Sequence, residues 1–262
     1  MRLIRVLPAA LMLLMSGPAF AQGQSDPVKY VSKTDYFSID FPGEPKVQEI
    51  MYPDEYRITL PGRVYTSDAG RNHYKVTVID YRGAQAIHAA RNAKCFEDAG
   101  ANRPGLTAQQ RRDLVGDSCQ DDGVKDIRGA MMYATWKFVE KAAKVTHLAY
   151  YNSDLIEGHE VHIINPDESR TYAVVHMHEN RLYIAEATVP KNAPAANWFQ
   201  ISIQFLDEEY KPVRYSYAGL MIYSNGFPKP PRAGQGGQGG QGQQGQGRQG
   251  GQGAQGQTQP SR

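Results

Sequence analysis

The stretch that decides the fold is Lys144 to Val189, KVTHLAYYNSDLIEGHEVHIINPDESRTYAVVHMHENRLYIAEATV. Four β-rich runs can be cut from it: Lys144 to Asn152, Leu155 to Asn165, Arg170 to His178 and Arg181 to Val189. The breaks between them, Asn152-Ser153-Asp154, Asn165-Pro166-Asp167 and Glu179-Asn180, are short and made of turn-forming residues. Short links permit only antiparallel neighbours, because a parallel pair needs a long crossover. The expected arrangement is therefore a meander. Within Arg170 to His178, Tyr172 and Val174 alternate with Ala173 and Val175, so both faces are apolar. That pattern calls for a sheet covered on both sides.

Outward from this core, the N-terminal half adds more strands. Tyr36 to Phe41 alternates, with Phe37, Ile39 and Phe41 on one face, before Pro42-Gly43 turns the chain. Lys46 to Tyr52, Arg57 to Leu60, Gly62 to Thr66 and Tyr74 to Tyr81 read as further strands, the last two flanking Ser67-Asp68-Ala69-Gly70. Ala84 to Ala99 is Ala-rich and helical in spacing, and Thr107 to Leu114 reads as a short helix with Thr107 as N-cap. Ala130 to Glu140 reads as a strand that reopens the sheet. Asn192 to Phe205 reads as a covering helix with Ala195, Trp198, Phe199 and Ile203 inward. The fold class is α+β, a mostly antiparallel sheet packed by helices on both faces, with a disordered C-terminal tail.

The ends of the chain carry different information. Arg2 and Arg5 precede an apolar run from Val6 to Met15, and Ala19-Phe20-Ala21 supplies the small residues a signal peptidase reads. The run is about half the roughly 20 residues needed to span a bilayer. Residues 1–21 are thus expected to be a cleaved signal peptide, giving a periplasmic or secreted protein that starts at Gln22 and has no membrane span. From Ala233 the chain is almost all Gly and Gln and cannot offset its backbone entropy by burial. The expected domain is a single globular unit over 27–230, with a helical insertion over 84–128 and a disordered tail over 231–262. The G-x-G-x-x-G matches in the tail follow no strand and open no helix, so they carry no nucleotide signature.

Three segments together look familiar: Tyr36 to Glu49 (YFSIDFPGEPKVQE), Tyr74 to Tyr81 (YKVTVIDY) and Asn197 to Tyr215 (NWFQISIQFLDEEYKPVRY). This set resembles small exported bacterial proteins of unknown function with a PsbP-like fold. The resemblance implies an antiparallel sheet packed by helices on both sides. It implies no catalytic or binding residue, and it leaves the Cys-bearing segment from Ala84 to Arg128 and the tail outside.

Functional signals are sparse. A net charge of +2 spread over 29 basic and 27 acidic residues gives no clustered basic face, so nucleic acid is not an expected partner. Cys95 and Cys119 are the two cysteines, and in an oxidising compartment they are expected to form a disulfide; the C-x-x-C spacing of a redox pair is missing. Gly158-His159-Glu160-Val161-His162 falls one residue short of the zinc-protease H-E-x-x-H, and in a strand its two imidazoles point to opposite faces. His176 and His178 share a face, and a hairpin around Asp167 brings His159 roughly opposite His176. These three are the candidate ligands for zinc or copper; a strand residue hydrogen-bonded to its neighbours is the plainer reading, and a register slip of one destroys the set. No cofactor is expected. The acids from Asp113 to Asp126 miss the spacing of a calcium loop, and no G-x-S-x-G elbow occurs. The remaining expectation is a non-enzymatic module that binds an unknown protein or small ligand in the cell envelope, with a hydrolase of dispersed active site as the alternative.

Overall fold

The structure is a computed structural model that describes residues 26–213 and Tyr215. The expected signal peptide and the Gly/Gln tail lie outside these residues. Ten strands and four helices follow in order: β1 (Val28–Ser32), β2 (Phe37–Phe41), β3 (Lys46–Pro53), β4 (Thr59–Ala69), β5 (Asn72–Asp80), α1 (Ala84–Asp98), α2 (Ala108–Val115), α3 (Gly123–Lys141), β6 (Lys144–Ser153), β7 (Ile156–Ile164), β8 (Arg170–His178), β9 (Arg181–Val189), α4 (Asn197–Ile201) and β10 (Gln204–Phe205). The protein is α+β, built on a seven-stranded antiparallel sheet of order β3-β4-β5-β9-β8-β7-β6. The meander β6-β7-β8-β9 forms as its turn chemistry dictates. β5 then closes onto β9, joining the N-terminal hairpins to it.

Both faces of this sheet are buried, by different layers. Val76, Val78, Val174, Tyr183 and Ala185 pack beneath Phe37, Ile39, Phe41, Phe199 and Phe205. The cover on this side is a small sheet, β1-β2-β10, with the five-residue α4 beside it. On the opposite face Ile79, Val161, Ala173, Val175 and Leu182 pack beneath Ile127, Ala130, Met131, Ala134 and Phe138 of α3. The expectation of helices on both faces therefore holds for one face, while strands carry most of the other.

Several element boundaries differ from the sequence reading. Ala130 to Glu140 is not a strand but the latter part of α3. Its Thr, Val and aromatic residues favour a strand locally, yet Ile127, Ala130, Met131, Ala134 and Phe138 bury at helical spacing, and that packing overrides local preference. Thr135 fits because its hydroxyl donates to the Met131 carbonyl at 2.9 Å. The helical block thus runs to Lys141, and α3 is a structural layer rather than part of an insertion ending at 128. The covering helix expected over 192–205 shrinks to Asn197–Ile201; Ala195 is exposed, Ala196 takes the buried place, and Gln204–Phe205 pairs with β2. The run 62–66 and the end of the run 57–60 form one strand, β4 from Thr59, while Arg57 and Ile58 stay in the preceding turn, and the turn to β5 lies at Gly70-Arg71. In the helical block, α1 and α2 form where expected. Thr107 caps α2 by accepting from the Gln110 amide while the Gln110 side chain accepts from the Thr107 amide. Cys95 and Cys119 form a disulfide, with Cα atoms 5.5 Å apart.

Candidate functional site

The three histidines singled out in the sequence do not meet. The five-residue loop 165–169 is centred on Asp167, so counting outward pairs His176 with Gly158 and leaves His159 opposite Val175. His159 therefore points to the α3 face, where its Nδ1 donates to the Thr135 hydroxyl at 2.8 Å. His176 and His178 point to the other face, each ring packed against Phe205. A sheet lies between the rings, and the proposed zinc or copper set is dissolved by one residue of register.

His176 is fully buried. Its Nδ1 donates to the Glu157 carbonyl at 3.2 Å, and its Nε2 has no hydrogen-bond partner. Burial lowers its pKa to about 4, so the ring is neutral. The ring lies so close to β7 that only a glycine fits opposite: a Cβ on Gly158 would come 2.4 Å from His176 Nδ1. His178 Nε2 is 2.9 Å from the Tyr215 hydroxyl. These are packing residues of the sheet.

A different polar group, unforeseen in the sequence, lies under the helical face. Asp54 opens the β3–β4 turn, where its Oδ1 accepts from the Ile58 amide at 2.9 Å. His88 sits one turn into α1 and Asp126 in the first turn of α3. Gly123 lets these helices approach closely, since a Cβ there would meet the Gln85 Cα at 3.0 Å. Arg91 donates to the Tyr56 carbonyl at 2.7 Å and ties α1 to the same turn. The result is that His88 Nε2 and Asp126 Oδ2 lie 2.8 Å apart, with Asp54, His88 and Asp126 only 5%, 3% and 1% exposed. One ligand atom from each of the three lies within 4.8 Å of the others. Burial, and then the neighbouring Asp54 carboxyl, raise the Asp126 pKa to about 9. Two acceptor carboxylates held together must share a proton or a cation. Asp54 Oδ2 and the buried Tyr81 hydroxyl have no hydrogen-bond partner.

The surface offers a third feature. β6 is one edge of the large sheet. Leu148 and Tyr150 stand on its α3-facing side, opposite Val161 and His159, and each is more than half exposed. On α3, Met132 and Trp136 flank Thr135, which bonds to β7, and they too are more than half exposed. All four are large apolar side chains left open on the α3 side of the sheet. The other edge, β3, carries Lys46, Glu49 and Pro53, whereas His147 to Asn152 of β6 has neither a formal charge of Lys, Arg, Asp or Glu nor a proline. A cavity of about 370 Å³ at the β3–β5 end is lined by Asp35, Glu49, Arg63 and Asp80. Its acids are already engaged: Asp35 by Arg63 at 2.8 Å and by Tyr65 at 2.6 Å, Asp80 by Arg82 at 2.5 Å.

Fold and site together define a disulfide-bonded α+β protein with one ionisable cluster sealed inside, an open cavity whose acids are in ion pairs, and exposed apolar side chains near one sheet edge. Among the described residues no helix is long and apolar enough to cross a membrane. No protein-family model matches the chain, and no curated protein matches it.

Proposed function

We propose that the protein is an exported, non-enzymatic module of the cell envelope that takes an extended apolar segment of a partner protein along the β6 edge. One observation carries this reading: exposed Leu148 and Tyr150 lie within the stretch His147 to Asn152 of the β6 edge, which has no Lys, Arg, Asp or Glu, and Met132 and Trp136 are exposed on α3, the helix that covers the same sheet face. Exposed apolar surface rimmed by polar residues marks interaction sites, and an open edge offers a row of backbone groups to an incoming strand. The other edge is guarded by charge and proline, as edges that must stay unpaired usually are. A hydrolase draws less support. Asp54, His88 and Asp126 are too deeply buried for a substrate, and the carboxylates of the open cavity are in ion pairs.

Export rests on the signal-like first 21 residues and agrees with the disulfide; an intact mass beginning at Gln22 tests it. Membership among exported PsbP-like proteins is part of the same proposal, supported by an antiparallel sheet lying between two covering layers. The binding reading is tested by a photoreactive residue at Leu148 in the exported protein, with Met51 on the opposite edge as control. A covalent adduct from Leu148 alone, mapping to an extended apolar segment and abolished by Trp136→Glu, is expected. An adduct of twice the chain mass, or equal labelling from Met51, would replace the partner by self-association or by nonspecific capture.

A further inference from the structure

We propose that Asp54, His88 and Asp126 form a binding site for one divalent first-row transition ion, zinc foremost, that clamps the β3–β4 turn to α1 and α3. The donor set is one imidazole nitrogen and two carboxylate oxygens, a mixture that suits zinc and its neighbours rather than calcium or magnesium, which favour oxygen alone. The three ligand atoms already lie within 4.8 Å of one another. Ligands about 2.0–2.1 Å from a tetrahedral zinc stand about 3.3 Å from each other. Binding thus needs the His88–Asp126 contact to open from 2.8 Å by about half an ångström, while Asp54 swings inward.

The orphaned atoms point the same way. Asp54 Oδ2 is buried beside the Asp126 carboxyl and accepts from no nitrogen or hydroxyl donor. A cation satisfies it and the Asp126 carboxylate at once. The Tyr81 hydroxyl is also buried and unpaired, on the same α3-covered side of the sheet as Ala84 and Ile127. The elements are fixed independently of any ion: Asp54 by its own turn, His88 and Asp126 by the α1–α3 contact at Gly123. No substrate route reaches so buried a position, so the ion is structural. It enters as the chain folds, because the three ligands come from elements far apart in sequence.

Metal content of the full mature protein, purified without chelator or affinity nickel, tests this directly. About one equivalent of zinc is expected, retained through dialysis against a mild chelator and released to a chromogenic chelator when guanidinium unfolds the chain. Refolding the wild-type chain with zinc, against refolding it with a strong chelator, is expected to raise the melting temperature by at least 5 °C. Asp126→Asn should lose the equivalent, and His162→Ala should keep it. The second variant matters because His147, Glu160 and His162 form a partly exposed group that could take up metal. Zinc lost in His162→Ala, zinc absent from the purified protein, or an unchanged melting temperature on refolding with the metal would each overturn the site.

Discussion

His176 gives the most quantitative forecast, because a single titration separates its contribution from all others. The ring is wholly inside, its Nε2 faces no donor, and burial holds its pKa at about 4 against an ordinary 6.5. The neutral ring's stabilising share is fully present above pH 6.5. It declines as pH falls below that value, since the unfolded chain takes up the proton first, and the loss is complete below pH 4. The difference of about 2.5 pKa units corresponds to about 3 kcal/mol in all, of which about 2 kcal/mol is gone at pH 5. The wild-type profile alone will not show this, because Asp126 acts in the opposite sense. With no ion bound, burial and the Asp54 carboxyl raise its pKa, so its stabilising share is present at low pH and is lost as pH rises. The informative quantity is the difference between wild type and His176→Phe, in which a ring still packs on Phe205 and Tyr151 but cannot titrate. Urea unfolding at half-unit steps from pH 7 to pH 4.5 should show the variant gaining on wild type by 2–3 kcal/mol (order of magnitude, from the same linkage). Parallel curves would refute the claim that His176 is buried neutral.

Two further outcomes follow from packing and covalent structure. Gly158→Ala places a methyl 2.4 Å from His176 Nδ1 and 2.5 Å from the Val175 carbonyl, so a thermal melt should show destabilisation of about 3 kcal/mol or failure to fold; a neutral result would mean that β7 and β8 are not in this register. Replacing Cys95 and Cys119 by Ser should lower stability by about 3 kcal/mol, since the bond closes a 24-residue separation, and non-reducing peptide mapping of the wild type should recover the linked pair; two free thiols in the exported protein would contradict the structure.

The parts of the fold legible in the sequence were those set by local chemistry. The bounds of β8 and β9 follow from turn residues on either side and from apolar alternation between them. Thr107 announces α2 because its hydroxyl and Gln110 cap the same end. What stayed hidden was set by distant partners. α3 carries Thr135, Trp136 and Val139, which favour strands, and becomes a helix because its buried side packs onto β7, β8 and β9. The histidine set failed on a single residue of register, which turn residues alone do not fix. The buried cluster was missed for a related reason. Asp54, His88 and Asp126 are far apart in the chain, and each looks ordinary in its own segment. One local signal was present: Asp54 follows Pro53 at a turn, and His88 is the polar residue on the Ala84 face of α1. Neither hints at the other without the fold.

The β6 edge is tested most directly by amide hydrogen exchange on the full mature protein, alone and bound to the segment captured through Leu148. Those amides of His147 to Asn152 that do not bond to β7 should exchange fast in the free protein and be slowed at least tenfold in the complex. The amides of β3 should not change. Slowing at β3 instead, or no protection anywhere on β6, would contradict a binding function at this edge.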